Sequence, residues 1–454
     1  MFAQFGKKDK IKMAHITAFK GLVYNPEKIK DFGDVCTPPY DVISKDEQNE
    51  FYEKHPNNII RLILGKPEPG DTEKVNAHSR AAEFFKQWQS DKMLIQDTKP
   101  AIYFTSVDFM DNKGHALTRY GMIVRVGLEP FEKGIILPHE KTFSKVKTER
   151  LNLMKVCHAN FSPIFSLFSD PGNQVVRRLK SHSDRPADMT FVDTKGLSQK
   201  MWRVTDETVT HEITRMMADK ILYIADGHHR YETALNYRKW ASENLPGFSE
   251  NHSANYVMMY LSSMDEPGLT IFPAHRLVSG LPDSKLNGFM EKAGAFFDTD
   301  TFPFTAENRE QVSSDFMLGL ESGQSGNAIG VCLKNISEFY LLKVKPGVME
   351  KLFSHEIPPA LRELDVTILT HLIFMEILGF DQAMLDSEEM MSYQSNIRPA
   401  VNSVLNSECK AAFILNPTRI EQVRRVAREG LIMPRKSTYF YPKVITGQAI
   451  HKLE

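Results

Sequence analysis

The chain has 454 residues, 42% hydrophobic and 25% charged, which supplies apolar side chains for substantial cores and more length than one domain ordinarily holds. Lys and Arg number 56 against 57 Asp and Glu, so the formal charge of −1 excludes the one-signed field of a bulk nucleic-acid binder. No stretch approaches the roughly 20 apolar residues that cross a bilayer, the start MFAQFGKKDKIKMAHI has no secretory apolar core, and Cys36, Cys157, Cys332 and Cys409 form no C-x-x-C pair, so a cytoplasmic protein without membrane anchor, disulfide framework or zinc ribbon is expected.

The first ten or so residues, with Lys7, Lys8 and Lys10, read as a frayed lead before order begins near Ala14. In Thr37 to Ser44 two prolines hold an extended backbone and leave Tyr40 and Asp41 at a loop-to-helix junction, with Ser44 and Glu47 spaced as a capping box. Asp41 reads either as a local cap or as a partner of Mg²⁺ or of a substrate hydroxyl. Asn58 to Leu64, NIIRLIL, reads as a strand; Val75 to Gln89 has helical apolar spacing; Ala101 to Phe109 and Tyr120 to Val126 read as a hairpin around Asp111 to Gly114.

A polar run follows. Pro138 to Arg150 carries His139, Glu140, Glu149 and the cations Lys141, Lys145, Lys147 and Arg150, ahead of a helix-like segment starting at Arg150. One reading is a solvated loop. The other makes Glu140 a base beside His139 as a second proton carrier, with the cations offsetting phosphate charge, a combination that phosphoryl transfer uses. Asn160 to Phe168 is strand-like and broken by Pro163, and a helix near Glu207 to Lys220 leads to the most informative stretch, Ile221 to Ala234, ILYIADGHHRYETA.

Ile221 to Ala225 is a short continuous apolar run, as in a strand buried on both faces; Asp226-Gly227 stops it; Tyr231, Ala234, Leu235, Arg238 and Ala241 then share one side of a helix ending by Gly247. A strand end, a glycine able to take positive φ, and a helix start beside Arg230 together make an anion site from backbone N–H groups and one fixed cation. Plain turn chemistry is the competing reading. Asp226, His228, His229, Arg230 and Glu232 within seven residues form a density of ionisable groups that needs partners or a ligand.

Beyond the motif, Ala254 to Ser262 and Gly268 to Arg276 read as strands, the latter ending in His275 and Arg276, a rim or core pair more than active-site residues. A boundary is expected near Gly280 to Asn287, then an α+β pattern: a helix from Asn308 to Glu321, strands Ala328 to Leu333 and Glu338 to Val344, a helix capped by Asp365 and stopped by Gly379, a strand at Ala411 to Asn416 and a helix from Ile420 to Glu429. The tail, Arg435 to Lys443, combines cations, hydroxyls and aromatics, suited to binding phosphate and a base or to packing the terminus.

Asp226 to Ala234, DGHHRYETA, together with TPPYDVIS at Thr37 to Ser44, HEKT at His139 to Thr142, NFSPIF at Asn160 to Phe165 and KSTYFYPK at Lys436 to Lys443, resembles the bacterial and archaeal family named domain of unknown function 1015 over nearly the whole chain. The Gly-His-His-Arg-Tyr-x-x-Ala pattern is similar to the Gly-x-x-Arg-x-x-Ala box of the ParB and sulfiredoxin superfamily, whose members bind nucleotide phosphates there and include free-serine kinases. What these resemblances imply is an α/β (mixed α+β) fold: a mixed sheet with flanking helices, a ParB/sulfiredoxin-like core around the DGHHR turn, and a C-terminal α+β region. Regions 14–130, 131–280 and 281–454 are expected. The P-loop, Rossmann and H-E-x-x-H signatures are absent.

The expected function is a phosphotransferase using ATP or ADP with Mg²⁺ on a small hydroxylated metabolite, serine or phosphoserine. Glu140, His139, Asp226 and His228 are the catalytic candidates; Gly227, His229, Arg230, Lys436 and Ser437 hold the nucleotide; Tyr40, Asp41 and Arg150 meet substrate; Asp226 and Asp41 take the metal. The alternatives are a non-catalytic, ParB-like nucleotide switch and a metal-dependent hydrolase or phosphatase with His139, His228 and His229 as ligands.

Overall fold

The Asp111 side chain closes the first hairpin: it accepts from the N–H groups of Lys113 and His115, each at 2.8 Å. Strands Ile102–Met110 and Ala116–Gly127 then pair antiparallel from Tyr103↔Ile123 to Met110↔Ala116. In the computed structural model, which describes residues 14–323 and 327–453, this hairpin lies inside a nine-stranded sheet. The expected lead over the first ten residues lies outside the described residues.

The sheet order is Ile136–Leu137, Leu222–Asp226, Ile164–Phe168, Tyr256–Ser263, Ala116–Gly127, Ile102–Met110, Ser198–Val204 and Met189–Val192, with Ile16–Thr17 added on Ala116–Gly127. It is mixed, since Leu222–Asp226 runs parallel to Ile136–Leu137 and antiparallel to Ile164–Phe168. Ile224, Val124, Met259 and Phe104 pack with Ile213 and Met217 of the helix Glu207–Met217 and with Tyr231 and Ala234 of the helix His228–Asn244. The expected mixed α/β class, a large mixed sheet with flanking helices, is what the chain forms.

The chain divides into two compact units. The first takes the described residues up to Pro138, Thr142–Leu269 and the tail from Pro442; the second takes His139–Lys141 and Thr270–Tyr441. The boundary thus falls at Leu269, ahead of the expected 280–287, and the last residues return to the first unit, where His451–Lys452 pairs with Ala159–Asn160. The second unit holds a six-stranded antiparallel sheet, Phe297–Pro303, Glu338–Val344, Ala328–Leu333, Ala411–Ile414, His275–Val278 and Met391–Gln394, over which Phe316, Leu320, Val401 and Val404 pack.

Four local expectations are corrected. NIIRLIL is helical over Ile60–Ile63, because the Asn58 side chain accepts from the Ile60 N–H at 2.9 Å and starts a turn; its apolar run is buried whichever way it folds. The helix expected from Arg150 begins at Ser144. The strand through Arg276 splits into Thr270–Phe272 and His275–Val278 around Pro273, which has no N–H for a ladder. Asp365 is the first residue of its helix, not the cap: it accepts from Asn327 Nδ2 at 2.7 Å, and the chain goes on as a π-helix over Ile368–Ile377. The strand Ser198–Val204 escaped the sequence reading altogether.

The four cysteines are buried and free of disulfides. Among the described residues no helix is long and apolar enough to cross a membrane.

Candidate functional site in the first unit

At the end of Leu222–Asp226, Gly227 turns the chain with φ 96° and stands as the N-cap of the helix His228–Asn244, itself offering no side chain to cap it. Its first-turn amides therefore lie beyond the intrahelical ladder. The inner side of the helix buries Tyr231, Ala234, Tyr237 and Ala241, which anchors its N-terminus at the strand end. A Cβ at 227 would stand 2.9 Å from Arg230 Nε and 3.0 Å from its Cζ. Gly227→Ala is expected to cost roughly 1–3 kcal/mol from the left-handed backbone alone and to displace the guanidinium, which a denaturation curve and a crystal structure of the variant would reveal.

Arg230 is held on three sides. Its Nη1 donates to the Pro163 carbonyl, its Nη2 pairs with Asp226 at 2.5 Å, and Asp41 stands 3.8 Å away. Asp226 has a second cation, Lys443 Nζ at 2.6 Å, brought by the returning tail. Burial pushes the Asp226 carboxyl up, but the Lys443 ammonium and the Arg230 guanidinium outweigh it and hold it far below the usual carboxylate range. Both carboxylate oxygens thus face cations, so Asp226 positions Arg230 and does not present itself as a metal ligand. Asp41 keeps 36% of its side chain exposed against 17% for Asp226.

Beside Arg230 a pocket of about 60 Å³ opens, lined by Tyr40, Arg150, Ser162, Thr233 and apolar side chains including Phe161 and Leu153. That is room for a few waters or one small polar group, not for a nucleoside. Arg150 is fixed by Glu149 and by the Ile63 carbonyl, and its guanidinium lies 4.2 Å from the centre of the Tyr40 ring. Burial, with the Asp41 charge second, pushes the Tyr40 hydroxyl up to about 12, so it is a neutral donor at pH 7. The fold thus gathers Tyr40 with Asp41, Arg150 and Arg230 from three distant stretches.

The segment after HEKT also meets the central helix. Glu232 accepts from Thr142 Oγ1 at 2.7 Å and pairs with Lys147, while His229 Nε2 accepts from the Phe143 N–H at 2.9 Å. Burial lowers the His229 pKa, and a ring nitrogen used as acceptor is neutral. Any part His229 takes in holding an anion falls to its backbone N–H rather than its ring. His228 is buried.

The remaining candidates belong to the second unit. His139 is fully buried, with Nε2 3.2 Å from Thr438 Oγ1, its carbonyl accepting from the Met433 N–H at 2.9 Å, and its ring edge-on to Phe440. Those contacts hold its ring inside the second unit. Glu140 is half-buried in the same unit. Ser437 is buried, its hydroxyl donating to the Pro434 carbonyl at 2.6 Å while its own carbonyl accepts from Thr418, so it braces a turn in place of meeting phosphate. Lys436 lies in the second unit at φ 54°; the tail lysine that joins the first-unit cluster is Lys443. Among the described residues no three His, Cys, Asp or Glu side chains are placed to hold a metal, which leaves the hydrolase reading with His139, His228 and His229 without a centre.

The sequence profile described as "Protein of unknown function (DUF1015)" matches residues 16–367. The chain belongs to the DUF1015 family. No curated protein matches this DUF1015 chain. Among solved structures, a conserved hypothetical protein from Pyrococcus furiosus is 12% identical, with 68% of this chain and 88% of that one covered, at a TM-score of 0.32. A free serine kinase in complex with AMP is 13% identical, covering 67% and 83%, at 0.31. SbnI with a C-terminal truncation, from Staphylococcus aureus, is 10% identical, covering 71% and 85%, at 0.33.

Proposed function

We propose that the first unit binds the phosphates of an adenine nucleotide at the Asp226–Arg230 corner and transfers a phosphoryl group to or from the hydroxyl of a small metabolite, serine and phosphoserine being the first to test. The observation that carries this is the Arg230 guanidinium locked between Asp226 and the Pro163 carbonyl at the start of the helix His228–Asn244, with Arg150 lining the same small pocket. A helix start and a fixed guanidinium are complementary to phosphate. The resemblance of the GHHRYxxA stretch to the phosphate-binding box of the ParB and sulfiredoxin superfamily supports the same reading.

Backbone at Gly227, His228 and His229 and the Arg230 side chain receive phosphate oxygens, Asp226 and Lys443 keep Arg230 in place, and Tyr40 and Arg150 receive the small substrate. Asp41, the more exposed of the two carboxylates at Arg230, would hold Mg²⁺ with the nucleotide phosphates or take the hydroxyl proton; one or two carboxylates plus phosphate oxygens suit that ion. Mg²⁺ there would neutralise developing phosphate charge. In the kinase direction the substrate oxygen bonds to the γ-phosphorus, the bond to the leaving diphosphate breaks, and the hydroxyl proton passes to Asp41.

Calorimetry with ATP, ADP and AMP, then phosphorus NMR with serine or phosphoserine, tests this. Nucleotide consumption that rises with serine is the expected result. Binding without turnover would replace the transferase with a nucleotide switch, and no binding of any of the three nucleotides would remove the site.

A further inference from the structure

A buried arginine of the second unit has no counter-ion. Arg276 is 3% exposed; its Nη1 donates to the Ala274 carbonyl, its Nη2 to the Arg435 carbonyl at 3.0 Å, and its guanidinium lies 5.2 Å from the centre of the Tyr393 ring. All three partners are neutral, and among the described residues no carboxylate stands within ion-pair distance of it. Burial lowers its pKa to about 10, which leaves it charged at pH 7. A cation out of water that lacks a compensating anion is a costly arrangement for a fold to keep unless a ligand supplies the anion.

The same arginine lines a cavity of about 350 Å³ together with Thr367, Thr370, His371, Phe374 and Tyr393, a size typical of small-molecule sites. Thr367 is 1% exposed and its hydroxyl has no hydrogen-bond partner, a second buried polar group left unsatisfied on the same lining. One wall is the π-helix Ile368–Ile377, a rare geometry that is frequent at functional sites. Two carboxylates also line the cavity, and neither serves Arg276. Asp386 pairs with Arg435 at 3.0 Å, and Glu356 acts on His371, whose pKa burial lowers so that it is neutral at pH 7. Ile357, Leu361, Phe374 and Met375 make much of the remaining wall apolar, with Gln382 a further polar side chain on it.

We infer that this cavity of the second unit binds a small organic acid, its carboxylate received by Arg276 and the Thr367 hydroxyl and its apolar body by the π-helix wall. A carboxylate has two oxygens for those two donors, and the apolar lining selects a hydrocarbon body over a bare anion. His371, Tyr393 and Arg435 lie beyond residue 367, where the family match ends.

The test uses the full chain, with phenylpropionate and isocaproate as probes, their amides as neutral controls and inorganic phosphate as the bare anion, read by calorimetry and thermal shift. Both carboxylates are expected to bind saturably, the amides at least roughly tenfold more weakly, and phosphate not to compete with the carboxylates. Arg276→Met should abolish carboxylate binding. Because an arginine variant of a buried site can fail to fold, Thr367→Val is the second arm. Removing an unpaired buried hydroxyl is expected to hold or raise thermal stability without ligand while weakening the carboxylates by roughly threefold to tenfold. A purely structural threonine would leave their affinity unmoved. Failure of the wild-type chain to bind either carboxylate, amides that bind as tightly, phosphate that displaces the carboxylates, or unchanged affinity in Thr367→Val would each overturn the assignment.

Discussion

Arg230→Ala is expected to weaken nucleotide binding by roughly 2–4 kcal/mol, a factor of about 30 to 1,000, while the protein stays folded. The guanidinium is positioned by the Pro163 carbonyl, by Asp226 at 2.5 Å and by Asp41 at 3.8 Å. Truncation leaves Asp226 its second cation, Lys443 at 2.6 Å, so no carboxylate is stranded and the folding cost stays well below the binding cost. Arg230→Lys should recover little, since a single ammonium cannot fork between a carbonyl and a carboxylate and still face phosphate. Calorimetry with ADP, beside a melting curve, separates the two quantities; unchanged affinity in a folded Arg230→Ala protein would count decisively against the phosphate site.

Asp226→Asn is expected to do the reverse, costing roughly 3–5 kcal/mol of stability in the first unit. It leaves Lys443 and Arg230, each with a side chain 11% exposed, facing a neutral amide. The C-terminal tail, held there by Lys443, should loosen with it. Urea denaturation followed by tryptophan fluorescence reads this unit selectively, because Trp88, Trp202 and Trp240, the three tryptophans of the chain, all lie in it. The pH dependence has a definite sign. A carboxyl held below its unfolded value of about 3.9 contributes stability that is present above that pH and is lost as pH falls through the lower folded value. Wild type should therefore exceed the variant most near neutrality, and the gap should close on acidification below about pH 4. Equal stabilities at pH 7 would show that the Asp226 charge is not what holds Lys443 and Arg230.

The contrast between these two variants depends on a lysine that a reading of the chain passed over. Lys436 and Lys443 sit in one tail motif with the same side-chain chemistry, and nothing local ranks them. The strand Tyr439–Tyr441 pairs with Thr270–Phe272 in the second unit, and the chain leaves for the first unit only from Pro442, so position along that path assigns Lys443 to Asp226. His139 shows the opposite error. Next to Glu140 in a polar run it read as a proton carrier, whereas its burial beneath Thr438 and Phe440 rests on residues about 300 positions away.

What the amino-acid order determined unaided is whatever is settled within a few residues: the Ser44–Glu47 capping box, the Asp111 turn, and the passage from a buried strand through Gly227 at positive φ into a helix beginning at His228. Backbone sterics and short-range hydrogen bonds decide such features, so their signals are local. NIIRLIL marks the limit, because an apolar run buried on every side has no period to read. Which side chains stand around Arg230 was decided by the tertiary structure alone. Asp41, Arg150, Pro163 and Lys443 come from sequence positions up to 217 residues from the Asp226–Arg230 corner, and only the burial of shared apolar faces, a property of the whole folded chain, draws them into one place.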